Sequence, residues 1–450
     1  MSALLLATLT TALTAPTLRQ AQPLVGPRHG TRRTRPVLSS SSGGTSTSAD
    51  PAQAVFDSLL QDTPGIEGAV ALERTASRGR SLVTSRPVEA GEQLLRIPLD
   101  LCITAHRSGV CGGLVGQTDV MWEAAGDLRE EVGEDMYRRG ATWDVRLALG
   151  VLEATAGAGG PFWDMYRRLL PSPPQMLHPV CLPAAMQAEL QDSELQGGTT
   201  ERVALLRDVY PMLANHATHP ATASYEQMGA PMEMIPSPLE WAYGLVTSRC
   251  FTMSDGDTFA FVPFLDLCQH DSPPAADFAS DGEAFHLRAL RPLDAGEQVT
   301  ICYGDDYNSR RMFKQYGFAP EDGVETDADL LRELCPQRAS DTEVLKPSDL
   351  EPLLAAFKAH NESPLATPAR LTAVYDAITD DSAPAAPALL AALRDVSAAF
   401  PTSLDEDEAS MLTPAKDPRA RAVLEYRVQR KRLLRLAEQI LDKYCGAREK

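Results

Sequence analysis

The sequence predicts an α+β fold, because its strand-forming residues occur in two groups that helical residues separate. Short β-prone runs bounded by turn residues fill 68–104, and the same texture returns over 258–303. Apolar residues at spacings of three and four predict helices across most of 119–215, and helices again from about residue 325. This order is that of an α+β protein whose strand core is split in sequence.

This order and the composition divide the chain into three predicted segments. Residues 1–49 are predicted to be a disordered leader, 50–320 the α+β domain with its helical insert at about 119–235, and 321–450 a helical domain. At 450 residues the chain is long enough for two or three domains, each with a substantial core.

The strands are predicted from β-prone runs next to turn residues. "SLVTS" and "QLLRIP" are strands on either side of a turn at Glu89 to Glu92. "FAFVPFL", "AFHLRAL" and "QVTICY" form the second group.

The helices are predicted from apolar spacing. They are "ATWDVRLALGVLEAT", "PFWDMYRRLL", "TERVALLRDVYPMLANH" and "SPLEWAYGLVTSRCF", the last with Ser237 as N-cap and Pro238 at the first helical position. Pro171, Pro173 and Pro174 interrupt this region, and a long helix is predicted from about Asp417 to Tyr444.

Charge and composition exclude several function classes. The net charge is −19, from 61 acidic and 42 basic residues, which argues against broad binding to nucleic acid or anionic membranes. No run of 18 or more apolar residues predicts a transmembrane helix. The eight cysteines include no C-x-x-C pair, so buried or free thiols are expected, with no metal site.

The first 49 residues contain five arginines and no Asp, Glu or Lys. An Arg- and Ser-rich segment without acids is typical of an organelle transit peptide. The apolar opening "ALLLATLTTALTA" is similar to a signal-peptide core, so a two-part leader for a complex plastid is predicted. Chloroplast or another plastid is the predicted location, with mitochondrion or cytoplasm as alternatives. A tail that is only disordered would have the same composition.

One tetrapeptide occurs twice. Ala-Gly-Glu-Gln spans Ala90–Gln93 and Ala295–Gln298, and Arg-Pro precedes both copies. Each copy predicts a turn in which glycine adopts a positive φ and a strand follows at once. Turn chemistry alone could produce this pattern twice, so the neighbouring residues decide its meaning.

These neighbours form an ordered set of motifs. "SRGRSLVTSRPV" precedes the first copy. Between the copies lie "LVTSRC", at the end of a predicted helix, and then "FVPFLDLCQHDSPPA". "CYG" and "NSRRMFKQYGFAPEDG" follow the second copy. In order and spacing the set resembles the SET-domain protein methyltransferases, in the branch of Rubisco large-subunit methyltransferase and the actin-histidine methyltransferase. The resemblance covers about residues 66–320. The helical tail resembles the substrate-binding domain of that branch.

The resemblance implies an S-adenosyl-L-methionine-dependent protein-lysine N-methyltransferase that acts on a non-histone protein. It implies a monomer that binds a protein substrate, with Rubisco large subunit or aldolase as candidates, and neither nucleic acid nor membrane. Tyr303 would be the catalytic tyrosine. The implied cofactor-binding residues are Arg78, Gly79, Arg80, Ser81, Arg249, Gln269, His270 and Phe318. The implied substrate-binding residues are Arg249, Asp266 and Tyr316.

The chemistry is consistent with this set on its own terms. Methyl transfer from a sulfonium to an amine needs an in-line approach, a neutral nucleophile and exclusion of water, with no metal. A tyrosine at a strand end can supply a positioned hydroxyl, although by residue type alone it is more often a packing residue. His270 and Arg249 likewise have structural interpretations, as a loop histidine and a cation at a helix end.

Two departures from the family pattern bear on the cofactor. Ser81 stands where the family has a second glycine, and serine can follow that backbone unless φ is positive. Gln269 replaces an asparagine and adds a methylene. These changes favour a second hypothesis, a catalytically weak SET-like binding module, whereas the intact Tyr303 favours catalysis.

Histidine methylation is a further alternative. In the actin-histidine pattern an asparagine follows the helix-end arginine and a tryptophan precedes the aspartate. Cys250 and Leu265 occupy these positions here, which is closer to the lysine branch.

The tail carries a basic stretch. Residues 416–435 hold eight bases and two acids, and Arg427, Arg430, Lys431 and Arg435 fall along one helix. The stretch predicts either a solvated face or a contact surface for an acidic partner, and residues 325–450 are predicted to recognise the protein substrate.

Overall fold

The computed structural model covers most of the chain. The structure describes residues 19–20, 51–75, 79–107, 111–113, 142–214, 219–227, 231–304, 306–334, 350–352, 354–355, 357, 363–379, 385–415 and 417–448. The predicted leader lies outside these ranges except for Arg19–Gln20, and so does the start of the predicted insert. Both boundaries therefore stay predictions.

The chain forms two compact units. The first comprises Met1–Pro171 and Arg249–Tyr303, and the second comprises Ser172–Ser248 and Gly304–Lys450. The insert is thus divided at Pro171, where the predicted proline interruption begins, and its larger part belongs to the same unit as the helical tail. This division differs from the predicted domains, which placed the whole insert with the strands.

The first unit contains the strands. They are β1 Arg19–Gln20, β2 Glu67–Gly68, β3 Val70–Thr75, β4 Gly79–Thr84, β5 Gln93–Pro98, β6 Ile103–His106, β7 Cys111–Gly113, β8 Cys250–Thr252, β9 Thr258–Phe261, β10 Gln269–His270, β11 Ala276–Ser280, β12 Ala284–Ala289 and β13 Thr300–Ile301. Both predicted strand groups are therefore present. The predicted strand "FAFVPFL" is shorter than expected, because it ends at Phe261 and a 3-10 helix begins at Leu265.

The described strands form small sheets that mix the two halves of the unit. One has the order β1-β8-β9-β6-β7, another the order β11-β12-β5-β2, while β3 pairs with β4 and β10 with β13. In two of these sheets, strands from before the insert pair with strands from after it, such as β6 with β9 and β5 with β12. The insert therefore interrupts the sequence of the strand core without interrupting its sheets.

Helices pack beside these strands and make up most of the second unit. In the first unit they are α1 Pro51–Asp62, α2 Trp143–Glu153 and α3 Gly160–Tyr166. The later ones are α4 Ala184–Ala188, α5 Ser193–Val209, α6 Pro220–Gln227, α7 Pro238–Arg249, α8 Ser309–Tyr316, α9 Ala328–Leu334, α10 Pro368–Ile378, α11 Ala386–Ala399, α12 Leu404–Met411 and α13 Pro418–Arg448. The predicted helices are present within the described residues. The helix predicted through Phe251 ends at Arg249, because Cys250 and Phe251 belong to β8.

The two Ala-Gly-Glu copies fold in the same way. Gly91 has φ of 82° and Gly296 has φ of 79°, as the predicted turns require. In the first copy the carboxylate of Glu92 accepts a hydrogen bond of 2.9 Å from the backbone N–H of Glu89 and pairs with Arg86 at 2.6 Å. A side chain that satisfies the turn's backbone donor fixes the turn conformation.

The second copy repeats both contacts and pairs with the first. Glu297 accepts a bond of 3.0 Å from the backbone N–H of Asp294 and pairs with Arg291 at 2.5 Å. Val88 and Leu293, which precede the two turns, exchange backbone hydrogen bonds of 3.0 Å in both directions. The two copies are therefore antiparallel partners related by a local two-fold arrangement. The repeated sequence builds one self-complementary contact of the strand core.

The long helix α13 organises the second unit. Its apolar side chains enter two cores, one shared with α10 and α11 and one shared with α5 and α8. Leu436, Ala437, Ile440 and Leu441 are fully buried in the first, and Tyr426 and Phe313 meet in the second at a ring-centroid distance of 4.6 Å. Within the described ranges, no helix has both the length and the apolar character to span a membrane.

Much of the basic stretch of α13 is buried in ion pairs. The prediction of a solvated face or an open contact surface is therefore wrong for Arg427, Arg430 and Lys431. Arg427 and Lys431 are 8% and 5% exposed and both pair with Asp407, at 2.5 Å and 2.6 Å. Although burial raises the pKa of Asp407, hydrogen bonds from Lys431 and Arg427 bring it below its ordinary value. The bases serve as an internal charge network.

The acids of this network come from distant parts of the chain. Glu189 pairs with Arg427 at 2.6 Å, and Asp192 lies 3.4 Å from Arg430. Arg435 is the most exposed of the four bases that the prediction named, and it lies 3.9 Å from Asp405. A charge count along one helix includes only its own acids, which is why the stretch looked unbalanced.

His178 makes the stability of the second unit depend on pH. Its buried ring accepts a hydrogen bond of 3.2 Å from the backbone N–H of Val180. Burial, followed by the charges of Arg202 and Lys314, lowers the pKa of His178 from 6.5 to about 3. The unfolded chain therefore binds a proton that the folded chain excludes, so stability is full above about pH 6.5 and falls as pH drops towards 3.

We expect this histidine to lower the free energy of unfolding by about 2 kcal/mol between pH 7.5 and pH 5. Urea unfolding at both pH values would measure it. The matched variant His178→Asn keeps an acceptor for the N–H of Val180 and cannot titrate, so its pH dependence should be flatter by that amount. Equal pH dependence in the two proteins would contradict the assignment.

Candidate active site

Tyr303 lies two residues beyond β13, with its ring buried and its hydroxyl in a defined contact. The hydroxyl donates a hydrogen bond of 2.6 Å to the backbone carbonyl of Cys268, and the residue is 8% exposed. Its backbone N–H donates a bond of 3.1 Å to Nδ1 of His270, whose ring centroid lies 5.2 Å away. Tyr303 is thus held by two groups of the Cys268–His270 segment.

Gln269 and His270 form β10, which runs parallel to β13 in the register Gln269 with Thr300 and His270 with Ile301. Nδ1 of His270 is the acceptor in its contact with the N–H of Tyr303, which fixes the orientation of the ring. The side-chain amide of Gln269 donates a bond of 3.0 Å to the backbone carbonyl of Arg80. The longer side chain is therefore used to tie β10 to β4.

The start of β4 carries the glycine that the backbone needs. Gly79 has φ of 72°, and a Cβ built on it would meet no atom within 4 Å. Ser81 is fully buried within the regular ladder between β3 and β4, opposite Glu73. Its φ is not positive, so the departure from glycine at this position needs no change in the backbone.

The side chain of Arg80 makes hydrogen bonds within the first unit. Its guanidinium donates to the backbone carbonyls of Arg168 and Leu169, at 3.1 Å and 3.0 Å, and so caps the chain after α3. Arg78, its predicted companion in cofactor binding, lies outside the described residues, and its role stays a prediction.

Arg249, at the end of α7, contacts Asp266 twice. It donates to the backbone carbonyl of Asp266 at 2.9 Å and to its carboxylate at 3.1 Å. The side chain of Asp266 is fully buried, whereas that of Arg249 is 25% exposed. The second oxygen of Asp266 accepts a hydrogen bond from the buried hydroxyl of Tyr166. Both oxygens of the carboxylate thus have internal partners. Asp266 is buried beneath the partly exposed Arg249.

Tyr316 and Phe318, the two remaining predicted residues, belong to the second unit. Tyr316 ends α8, and its ring centroid lies 6.2 Å from that of Phe318 and 6.3 Å from that of Tyr307. The members of the predicted set that lie in the first unit are Gly79, Arg80, Ser81, Arg249, Asp266, Gln269, His270 and Tyr303. Hydrogen bonds join Arg80 to Gln269, His270 to Tyr303 and Arg249 to Asp266.

Among the described residues, no group of three or more His, Cys, Asp or Glu side chains is arranged to hold a metal ion. The six cysteines whose side chains the structure describes are thiols rather than disulfides, and Cys102, Cys181, Cys250 and Cys268 are buried. Burial raises the pKa of Cys181 far above its ordinary value.

Comparisons with known proteins place this arrangement in context. No family model matches the chain. Two proteins of Schizosaccharomyces pombe match part of it: SET domain-containing protein 8, at 30% identity over 105 residues, and the ribosomal lysine N-methyltransferase set11, at 24% identity over 99 residues. The matches cover 23% and 21% of this chain and 24% and 26% of those proteins. The chain thus spans about a quarter of the length of these relatives.

Solved structures match nearly the whole chain. Rubisco LSMT bound to AdoMet aligns with a TM-score of 0.51 at 18% identity, and the SET domain of LSMT bound to lysine and AdoHcy with 0.51 at 16%. Each match covers 88% of this chain and 92% of the solved one. The chain has the SET-domain fold. The predicted α+β class, with a split strand core and a helical C-terminal region, and the predicted SET-domain resemblance are confirmed.

One residue that contacts the predicted set was missed by sequence reasoning. Tyr166 lies in "PFWDMYRRLL", where its spacing from Trp163 and Leu169 suits a helix packing residue. Its hydroxyl nevertheless bonds Asp266 and accepts from the backbone N–H of Phe264 at 2.6 Å. The sequence indicates only that Tyr166 lies on the apolar side of a helix. Such a pattern does not specify that its hydroxyl meets Asp266.

Proposed function

We propose that this chain is an S-adenosylmethionine-dependent protein-lysine N-methyltransferase acting on a non-histone protein. The observation that carries the proposal is the hydroxyl of Tyr303 on the carbonyl of Cys268, at 2.6 Å, within a SET-domain fold. The solved relatives are described as bound to AdoMet, or to lysine with AdoHcy, and one curated relative is named a lysine N-methyltransferase.

The residues present fit this cofactor. The backbone at Gly79 faces open space, because a Cβ there would meet nothing within 4 Å, so a ligand can approach the chain closely. Ser81 fits in an extended strand, and the amide of Gln269 is bonded to Arg80 rather than turned into that space. The charge of Arg249 is balanced by Asp266, so it does not repel a sulfonium cation. The backbone of Gly79 to Ser81, together with Gln269 and His270, would hold the cofactor.

When bound, S-adenosylmethionine supplies an electrophilic methyl group. The task of the chain is then to align a neutral amine with that methyl and to keep water away. The hydrogen of the Tyr303 hydroxyl is bonded to the carbonyl of Cys268, and a hydroxyl that donates one bond can still accept others. Its oxygen can therefore accept an N–H from the amine and turn the nitrogen lone pair towards the methyl.

Arg249 and Asp266 complete this arrangement. The double contact of Arg249 with the carbonyl and the carboxylate of Asp266 fixes the backbone two residues before Cys268. Arg249 and Tyr166 occupy both carboxylate oxygens of Asp266, which argues against a direct contact between Asp266 and the substrate. The geometry favours an indirect role, in which Asp266 holds Arg249 and Arg249 meets the ligands.

Lysine is proposed as the target for two reasons. Cys250, which follows Arg249, is small and fully buried, and Leu265 before Asp266 is buried in place of a tryptophan. A non-histone target is proposed because only Cys335 and Cys445 follow Phe318, so the chain lacks the zinc-binding cysteine cluster of histone enzymes.

Tritiated S-adenosylmethionine with unmethylated Rubisco or aldolase would test the proposal. Acid hydrolysis should release labelled methyllysine, whereas labelled methylhistidine would favour the histidine alternative. Self-labelling is easily recognised, because the seven lysines of the chain all lie beyond residue 313. Calorimetric titration with the cofactor separates the remaining outcomes. Binding without transfer to any protein would favour a binding module, and absence of binding would reject the cofactor assignment.

We propose that the helical part of the second unit binds the protein substrate. Every predicted cofactor-binding residue except Phe318 lies in the first unit, so the helices of 325–448 have no assigned part in holding the cofactor. Arg427, Arg430 and Lys431 of α13 cannot provide this surface, since Glu189, Asp192 and Asp407 pair with them.

A plastid location is proposed from the leader, residues 1–49, which contains no acidic residue; the first acid of the chain is Asp50. We expect the native protein to begin near residue 50, because transit peptides are removed on import. Mass spectrometry of the protein isolated from its own cells would measure the N-terminus. Recovery of an intact end at Met1 or Ser2 would contradict the location.

A further inference from the structure

The segment before Cys268 contains a strained turn. Phe264 has φ of 65° and ψ of −43°, a conformation that residues with a Cβ rarely adopt. The backbone N–H of Leu265 donates to the carbonyl of Pro263 at 2.8 Å, which closes a three-residue γ-turn around Phe264. Strained backbone of this kind persists only where its surroundings hold it, and it is concentrated at functional sites.

One hydroxyl holds both sides of this turn. The oxygen of Tyr166 accepts a hydrogen bond of 2.6 Å from the backbone N–H of Phe264 and donates its own hydrogen to the carboxylate of Asp266. Burial, followed by the charge of Asp266, raises the pKa of Tyr166 well above its ordinary value. The hydroxyl therefore keeps its proton, so it can donate to Asp266 while its oxygen accepts from Phe264.

The ring of Tyr166 is fixed as firmly as its hydroxyl. It is fully buried, with centroids 5.5 Å from both Trp163 and Phe264 and 5.7 Å from Phe162. The hydroxyl thus reaches the turn from a rigid aromatic cluster rather than from a loop.

The turn leads directly into the candidate active site. A short 3-10 helix, Leu265–Leu267, follows it, and the carbonyl of Cys268 then accepts the hydroxyl of Tyr303. Asp266, one bond partner of Tyr166, receives Arg249 on its carbonyl and its carboxylate. A change in the turn would therefore displace the partners of both Arg249 and Tyr303.

We infer that Tyr166 is a positioning residue for methyl transfer: its hydroxyl holds the strained turn at Phe264, and through Asp266 and Cys268 it sets the positions of Arg249 and Tyr303. The inference rests on the proposed methyltransferase function for its kinetic consequence. Its structural part, the hydroxyl on the N–H of Phe264, does not depend on that function.

The variant Tyr166→Phe keeps the ring and removes both hydrogen bonds. We expect kcat to fall about tenfold to a hundredfold, because a small displacement of reacting groups has effects of that size. KM for the protein substrate and the affinity for S-adenosylmethionine should change much less, since Tyr166 is buried and meets neither ligand. Hydrogen exchange of the 262–268 peptide should be slow in the wild-type protein and clearly faster in the variant.

Tyr426→Phe is the matched control. Tyr426 is equally buried and donates to a carboxylate, that of Asp192 at 2.6 Å. It lies in the second unit, inside a core against Phe313 rather than on the surface proposed to bind substrate. We expect it to lower the melting temperature about as much as Tyr166→Phe does and to leave kcat and exchange at 262–268 unchanged.

The two levels of the inference can fail separately. Rapid exchange of the Phe264 amide in the wild-type protein would overturn the turn-holding role, whether or not methylation is found. An active wild-type protein whose Tyr166→Phe variant has the same kcat would overturn the positioning role. So would a Tyr166→Phe protein that does not fold while Tyr426→Phe does, since the tyrosine would then serve the scaffold. A wild-type protein that methylates no target would reject the proposed function and the kinetic role with it, while hydrogen exchange would still decide whether Tyr166 holds the turn.

Discussion

Tyr303→Phe is expected to lower kcat about a hundredfold or more, equivalent to about 3 kcal/mol at the barrier. The substitution keeps the buried ring and removes the hydroxyl that bonds the carbonyl of Cys268. Without it, the amine loses its acceptor and the carbonyl loses the donor that fixes it. A tyrosine used only for packing would lose about 1 kcal/mol of hydrogen bonding, with turnover hardly changed.

Steady-state kinetics with an unmethylated protein substrate would measure the change in kcat, and calorimetry would measure the affinity for S-adenosylmethionine. Cofactor affinity should change little, because the hydroxyl acts at the amine rather than at the adenosine. Tyr426→Phe again serves as the control for loss of a buried hydroxyl. A folded Tyr303→Phe protein that binds cofactor and methylates at the wild-type rate would show that Tyr303 is not catalytic.

Gly317→Ala is expected to lower the free energy of unfolding by about 3 kcal/mol or more. Gly317 ends α8 in the left-handed conformation, with φ of 77°, and its N–H bonds the carbonyl of Phe313 at 2.8 Å. A Cβ at this position would lie 2.3 Å from the carbonyl oxygen of Leu177. Because the obstacle is backbone, it cannot move aside as a side chain could. The glycine of the Tyr-Gly-Phe motif is therefore required by packing.

Gly91→Ala separates strain from collision. Gly91 has φ of 82°, but a Cβ there would meet no atom within 4 Å, so only the conformational cost of about 1 kcal/mol applies. Thermal unfolding should show a decrease in Tm of about 10 °C for Gly317→Ala and only a few degrees for Gly91→Ala. Equal decreases would indicate that the contact with Leu177 is unimportant.

Local features of this fold could be predicted because their causes lie within a few residues. The helix start at Ser237 is an example: Ser237 accepts from the N–H of Glu240 at 3.3 Å, and Glu240 accepts from the N–H of Ser237 at 2.8 Å. The turns at Gly91 and Gly296 depend in the same way on neighbouring residues. Tyr303 was proposed as the catalytic tyrosine because the motifs around it occur in a specific order, and this assignment stays a prediction.

The features that sequence reasoning missed are contacts between distant residues. Tyr166 and Asp266 are 100 residues apart, and Arg427 and Glu189 are 238 residues apart. Periodicity and charge patterns report on neighbours along one element, so they place such residues in the core or on a face without naming a partner. This is why Tyr166 was passed over and the basic stretch of α13 was misjudged.

The pairing of the two Arg-Pro turns also has a consequence for how the chain folds. Thr84 and the carbonyl of Asp294, which meet beside these turns, are separated by 210 residues. At about 5–20 residues per second, the ribosome needs about 10–40 s to synthesise the intervening chain, and during that time the first turn has no partner. The strand core therefore cannot close co-translationally until nearly three hundred residues have emerged. The equilibrium cost of this long connection is small, since doubling a loop adds only about 0.6 kcal/mol of closure entropy. Relatives could therefore change the length of the insert freely, with slower core closure as the main consequence.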